Sequence, residues 1–181
     1  MRLQSADQRR ARVLEAALDE FAEFGFHAAT TARIARTAEI SQSYVMHLFG
    51  SKKGLFLETL QTSSNLLNRR LMEVPDSGDV LTVLSSTYDR LMSEQPNLMR
   101  FQLQGWALAA QDEEVRAMCA DQFQSLWSTV ADRMGLERSD TAPLMAALAF
   151  FNVTVTLGIQ DDENCAVNSL LETFTRNLGV S

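Results

Sequence analysis

The sequence predicts an all-α protein of about nine helices, and three observations carry that prediction. Glycine (8) and proline (3) are scarce in the 181 residues, while helix formers such as leucine, alanine, glutamate and arginine are plentiful. Apolar residues recur at three- and four-residue steps, the period of a one-sided helix. No stretch of useful length alternates with the period of a strand, and no repeat of 20–50 residues is visible. With 46% apolar residues the chain can form a real core.

The elements follow in order. Val13, Leu14, Ala17, Leu18, Phe21 and Phe24 share one helical face, so residues 7–24 are expected to form a helix stopped by Gly25. Thr30 and Thr31 offer an N-cap to a short second helix, with Ile34 and Ala35 inward and Arg33 and Arg36 outward. Glu39-Ile40-Ser41 reads as a tight turn, and Ser41 as the N-cap of a third helix. Ser51 caps a fourth over about 52–74, on the leucines 55, 57, 60, 66, 67 and 71. "VPDSGD", 74–79, is the clearest linker. Further helices are expected at about 79–94, 97–110, 112–134, 140–159 and 164–178. Pro96, Asp112-Glu113-Glu114, Gly135 and Asp161-Asp162 punctuate them.

Charge is distributed unevenly. Residues 1–53 carry eight basic side chains against six acidic ones, and include both lysines of the chain, Lys52 and Lys53; residues 54–181 carry a balance of −9. A locally basic end on an acidic body suits a nucleic-acid reader joined to a second module. The expected division is therefore 1–53 and 54–181. No apolar h-region opens the chain and no run is long enough to span a membrane, so a soluble, cytoplasmic protein is expected. Cys119 and Cys165 lie 46 positions apart, which is neither a disulfide framework nor metal spacing. His27 and His47 are too few for most metal or catalytic clusters, so no metal or cofactor is expected.

A short helix, a three- to four-residue turn and a second short helix make a helix-turn-helix plan, in which the second helix enters the major groove of DNA. Phe21, Ile34, Ala35, Ile40, Val45 and Phe49 can pack the first three helices together. That leaves Gln42, Ser43, Tyr44 and His47 outside, all able to hydrogen-bond to base edges or phosphates. Thr30, Thr31 and Ser41 stand at helix N-termini, where hydroxyls and amide N–H groups bind phosphate. Arg33, Lys52 and Lys53 complete the candidate DNA-binding set.

"RRARVLEAALDEFAEFGFHAATTARIARTAEISQSYVMHLFGSKKGLF" resembles the DNA-binding domain of TetR/AcrR-type transcriptional regulators. The resemblance rests on Phe24-Gly25-Phe26 or the neighbouring Phe21, the threonine pair Thr30-Thr31 before Ile34-Ala35, and a serine-led recognition helix from Ser41 to Phe49. Ser51-Lys52 follows in register. Two residues depart from the family pattern. Glu39 stands where glycine is usual, and a non-glycine residue at positive φ is strained by about 1 kcal/mol, so a turn of slightly different shape is expected. Met46 stands where tyrosine is common, so that phosphate contact is lost or passes to Tyr44.

The resemblance implies that the remaining helices bind an effector and form a homodimer. Phe101, Gln102, Trp106, Phe123, Trp127 and Asn152 are the candidate ligand residues: Met and Trp together suit an adaptable cavity for a flat apolar molecule, with the amides as anchors. Leu144, Leu148, Phe151, Val155, Leu170, Leu171 and Phe174 are the candidate dimer residues on the last two helices. The expected partners are a double-stranded DNA operator, a small-molecule effector and a second copy of the chain, with no membrane. A regulator without a small-molecule ligand, controlled by a protein partner or constitutive, is the alternative. No Gly-rich phosphate loop, nucleophile-base arrangement or His–Glu metal spacing occurs, so no enzymatic activity is expected.

Overall fold

The computed structural model describes residues 5–73, 90–91, 94–95, 97–135 and 137–159. Seven helices run through them: α1 Ala6–Ala28, α2 Thr31–Thr37, α3 Gln42–Phe49, α4 Lys52–Met72, α5 Asn97–Ala109, α6 Glu113–Met134 and α7 Arg138–Leu157. No strand occurs among the described residues, and the all-α class holds. The expected linker at 74–79, most of the helix at 79–94 and the helix at 164–178 lie outside the described residues, as does Cys165.

Local chemistry sets the helix ends. Ser5 and Gln8 form a capping box at the start of α1, with reciprocal bonds of 3.1 and 2.9 Å. Gly25 breaks α1 as expected, at φ 67 and ψ 175, but the chain then resumes helical geometry as far as Ala28. The backbone there demands glycine, and a Cβ at Gly25 would lie 2.9 Å from Gln104 Oε1, so the end of that flexible side chain would have to move. The Thr30 hydroxyl caps α2 by accepting from the Arg33 N–H, and the Ser41 hydroxyl caps α3 by accepting from the Tyr44 N–H.

The turn between α2 and α3 keeps a left-handed residue despite lacking glycine. Glu39 has φ 56, the one non-glycine at positive φ among the described residues. The Glu39 N–H donates to Arg36 O and the Ile40 N–H to Ala35 O, at 3.1 and 3.0 Å. That is a Schellman ending, which satisfies two carbonyls of α2 and tucks half-buried Ile40 underneath. Its carboxylate, 2.6 Å from Arg12 Nη2, helps to hold the turn against α1. Glu39 takes the left-handed conformation itself, and a side-chain tie accompanies the strain.

The chain forms two compact units. The first joins Met1–Asn65 to Arg100–Ala120; the second joins Leu66–Met99 to Asp121–Ser181. The first unit therefore takes in more than the residues up to 53, because α5 and the start of α6 complete its core. Phe21, Phe56 and Phe101 are fully buried there, with ring centroids 4.9 Å (Phe21–Phe56), 5.2 Å (Phe56–Phe101) and 6.1 Å (Phe21–Phe101) apart. Edge-to-face and offset pairs at these distances contribute about 0.5–1.5 kcal/mol each beyond simple burial. Val13, Ala17, Ile34, Val45 and Leu55 fill the rest of this core. In the second unit Leu91, Met99, Val130, Leu144, Met145 and Ala147 are buried.

Candidate nucleic-acid interface

The third helix is anchored by two side chains. Val45 is fully buried and Phe49 nearly so, a spacing of four that puts both on one face. The opposite face, Gln42, Ser43, Met46 and His47, is exposed, while Tyr44 is half-buried. A helix this short is not stable alone, so its attachments decide its position.

Arg10 of α1 adds a further attachment. Its Nε and Nη2 engage both carboxylate oxygens of Glu58 on α4, the former at 2.6 Å. Its Nη1 donates to Leu48 O at the end of α3, 3.2 Å away, and the guanidinium lies 4.6 Å from the Phe49 ring centre. The Glu58 hydrogen bond lifts the Arg10 pKa above its ordinary value, with burial opposing. One arginine thus binds α1, α3 and α4 together, and bidentate charge-assisted bonds of this kind are the strong ones. Nothing in the sequence marked Arg10 or Glu58, because their contact joins positions far apart along the chain.

The expected DNA-binding residues divide into two groups. Ser41, Gln42, Ser43 and His47 lie exposed along α3 with Thr30 exposed at the start of α2. Gln42 Nε2 donates to Thr31 Oγ1 at 2.9 Å, which fixes the glutamine amide and joins the N-termini of α2 and α3. Tyr44 stacks near His47, with centroids 6.2 Å apart, and the Arg9 guanidinium sits 5.5 Å from the tyrosine ring centre.

The second group is engaged inside the protein. Arg33 is drawn away from the outer face: its Nε lies 2.6 Å from Glu20, its Nη2 donates to Ala28 O, and it covers the Phe24 ring. Glu20 also accepts the Thr30 N–H, so the pair braces the joint between α1 and α2. Lys53 bridges Asp112 at 2.8 Å and Glu114 at 2.9 Å, at the start of α6. Its hydrogen bonds to the two carboxylates raise the ammonium pKa, and the Lys53 bond is the main cause lowering that of Asp112. Lys53 is thus engaged within the protein, and the acidic cluster read as helix punctuation is its partner. Lys52 donates to His27 O at 3.1 Å and sits 4.9 Å from the Phe26 ring centre. Burial lowers its pKa, with Glu20 opposing.

This exposed polar helix, clamped from behind and led by a capped turn, has the geometry of a DNA-reading element. Residues 13–59 match the sequence model for "Bacterial regulatory proteins, tetR family". Over these residues the chain is similar to TetR-type regulators. The HTH-type transcriptional regulator BetI of Klebsiella pneumoniae is 38% identical over 72 residues, which are 38% of this chain and 37% of BetI. The chain thus aligns with little more than a third of that relative's length. A TetR family member from Streptomyces coelicolor A3 superposes with a TM-score of 0.75 at 17% identity, over 93% of this chain and 97% of that one. FadR of Bacillus subtilis, in complex with stearoyl-CoA, superposes with a TM-score of 0.68 at 16% identity, over 91% and 96%. The fold is that of TetR-type regulators over nearly the whole chain.

The expected ligand and dimer residues fall as follows. Phe101 lies in the aromatic core of the first unit, packed on Phe21 and Phe56, which corrects its reading as a ligand wall. Gln102 and Trp106, in the same unit, are half-buried. In the second unit Phe123 and Trp127 are half-buried and meet edge-to-face at 5.8 Å, and Asn152 is buried. Leu144 and Leu148 are buried in the chain's own second unit and so cannot present a dimer face, a second correction. Among the described side chains of α7 the large exposed apolar ones are instead Phe150, Val153 and Leu157, spaced three and four apart. The side chains of Phe151 and Val155, and residues Leu170, Leu171 and Phe174, lie outside the described residues. No described helix is long and apolar enough to cross a membrane.

Proposed function

We propose that the chain is a homodimeric transcriptional repressor that leaves its operator when a small apolar ligand binds the helical body. The single observation carrying the DNA half is the clamped α3, which offers Gln42, Ser43 and His47 outward while Val45 and Phe49 hold it down. Residues 1–53 supply the reader and 54–181 the sensing and dimerising body. Ser41 and Thr30 meet phosphates through the N-termini of α2 and α3, and Lys52 lies at the joint with α4, whereas Thr31, expected in the same set, is buried and holds the Gln42 amide instead. A two-fold dimer places two reading helices in successive major grooves, about 34–36 Å or more apart. The exposed stripe Phe150, Val153 and Leu157 supports a dimer surface on α7.

Ligand response is supported by kinship of fold: FadR of similar fold holds stearoyl-CoA. In this chain Phe123, Trp127 and Asn152 are the ligand candidates of the second unit. Release follows as a population shift in which the ligand favours a tilt of α4 that disarranges the two readers. Lys53 ties the first turn of α4 to the α5–α6 corner, so that corner moves with it. The test is fluorescence anisotropy on duplexes selected from a random pool by the protein itself. Affinity should fall linearly on a log–log plot against salt. Stearoyl-CoA and short apolar probes should be added in turn. Specific binding that no probe weakens would favour a constitutive or protein-controlled regulator.

A further inference from the structure

Among the described residues of the first unit, two large apolar side chains are exposed: Phe24 at 40% and Met46 at 37%. Phe24 lies under the Arg33 guanidinium, 4.3 Å from its ring centre, so its exposure is explained by the brace on α2. Met46 stands in the middle of the outward face of α3. Gln42 lies one turn before it, Ser43 three residues before it and His47 beside it, all exposed. A polar groove-facing surface thus carries one apolar, flexible and polarizable side chain at its centre.

A major groove offers few apolar features, and the chief one is the thymine 5-methyl group. Methionine is unbranched and adapts its shape to small apolar contacts. Gln42, its amide fixed through Thr31, is of a type that reads adenine edges, so both side chains favour A·T pairs. Resting on the DNA-reading function proposed above, we infer that Met46 is a specificity-determining residue that reads the methyl group of a thymine close to the base pair Gln42 meets. Contact with a sugar would use the same exposed surface yet ignore the methyl, which makes the two separable.

The experiment begins with a random duplex pool from which the full chain enriches its preferred sequence. Each thymine of the winner is then replaced by deoxyuridine, which removes one methyl group and leaves every hydrogen bond intact. At one thymine per half-site the change should weaken binding by about fourfold, the worth of one buried methyl. Met46→Ala should bind the thymine and uracil duplexes alike, while Met46→Leu should keep the preference. Its surface position lets both variants fold, which a matching circular dichroism melt verifies. Wild-type binding indifferent to every replacement overturns the inference alone, as does a Met46→Ala variant that keeps the full methyl effect. A pool that yields no enriched sequence overturns the DNA-reading function and the inference together.

Discussion

Lys53 Nζ and Asp112 Oδ2 stand 2.8 Å apart, and the other oxygen of the same carboxylate accepts the Val115 and Glu114 N–H groups at 3.1 Å. One carboxylate caps α6 and holds α4. Its folded pKa lies below the ordinary carboxylate value, so its stabilising contribution is present above about pH 4 and is lost as pH falls through the folded pKa. Lys53 is shifted upward, so its contribution is present below about pH 10.4 and is lost as pH rises through the folded value. The melting-temperature gap between wild type and Lys53→Met should be small, level across neutral pH, and close at both extremes. Thermal melts in a pH series with fixed ionic strength read this directly, and a gap that never narrows as the pH is taken down into strong acid would remove Asp112 from the account.

At Glu39 two effects oppose each other. Glycine would relieve about 1 kcal/mol of left-handed strain but lose an exposed pair with Arg12 worth about 0–1 kcal/mol. Glu39→Gly should therefore match wild type within about 1 kcal/mol in urea unfolding. Glu39→Val loses the pair and adds a β-branched side chain at positive φ, so it should cost about 1–3 kcal/mol.

Gly25 combines a backbone that other residues resist with a close neighbour. Gly25→Ala should destabilise by about 2–4 kcal/mol, from strain plus the approach to Gln104. Repeating it in a Gln104→Ala background separates the parts, since only the collision is relieved there. Equal losses in both backgrounds would assign the whole effect to the backbone.

On α7 two leucines should behave in opposite ways. Leu144 is fully buried, and Leu144→Ala should cost about 2–5 kcal/mol of stability. Leu157 is 65% exposed, so Leu157→Glu should leave the fold intact and shift a dimer toward monomer in sedimentation velocity. Unchanged sedimentation would place the dimer surface elsewhere.

What could be read from the sequence was whatever repeats along the chain at helical period or sits at a helix end. The caps at Thr30 and Ser41, the break at Gly25 and the buried pair Val45–Phe49 are local in that sense, and each was legible. Contacts between residues far apart in sequence were not. Arg10 and Glu58 look like ordinary surface charges, and Lys53 looked like a phosphate contact because Asp112 and Glu114 come so much later. Burial of Leu144 and Leu148 was misplaced because a nearly all-apolar helix such as α7 does not say which side faces its own core. Met46 departs from the family pattern in sequence, but its exposure follows from the register of α3 in the fold.

The Arg10 clamp has a thermodynamic consequence for recognition. With α3 held against both α1 and α4 before any DNA arrives, little conformational freedom is left to surrender at the groove. Association should then resemble rigid docking, with a modest heat-capacity change rather than the large one of folding coupled to binding. Mismatched sequences would be rejected by misfit, since a stiff helix cannot bend to rescue a poor contact.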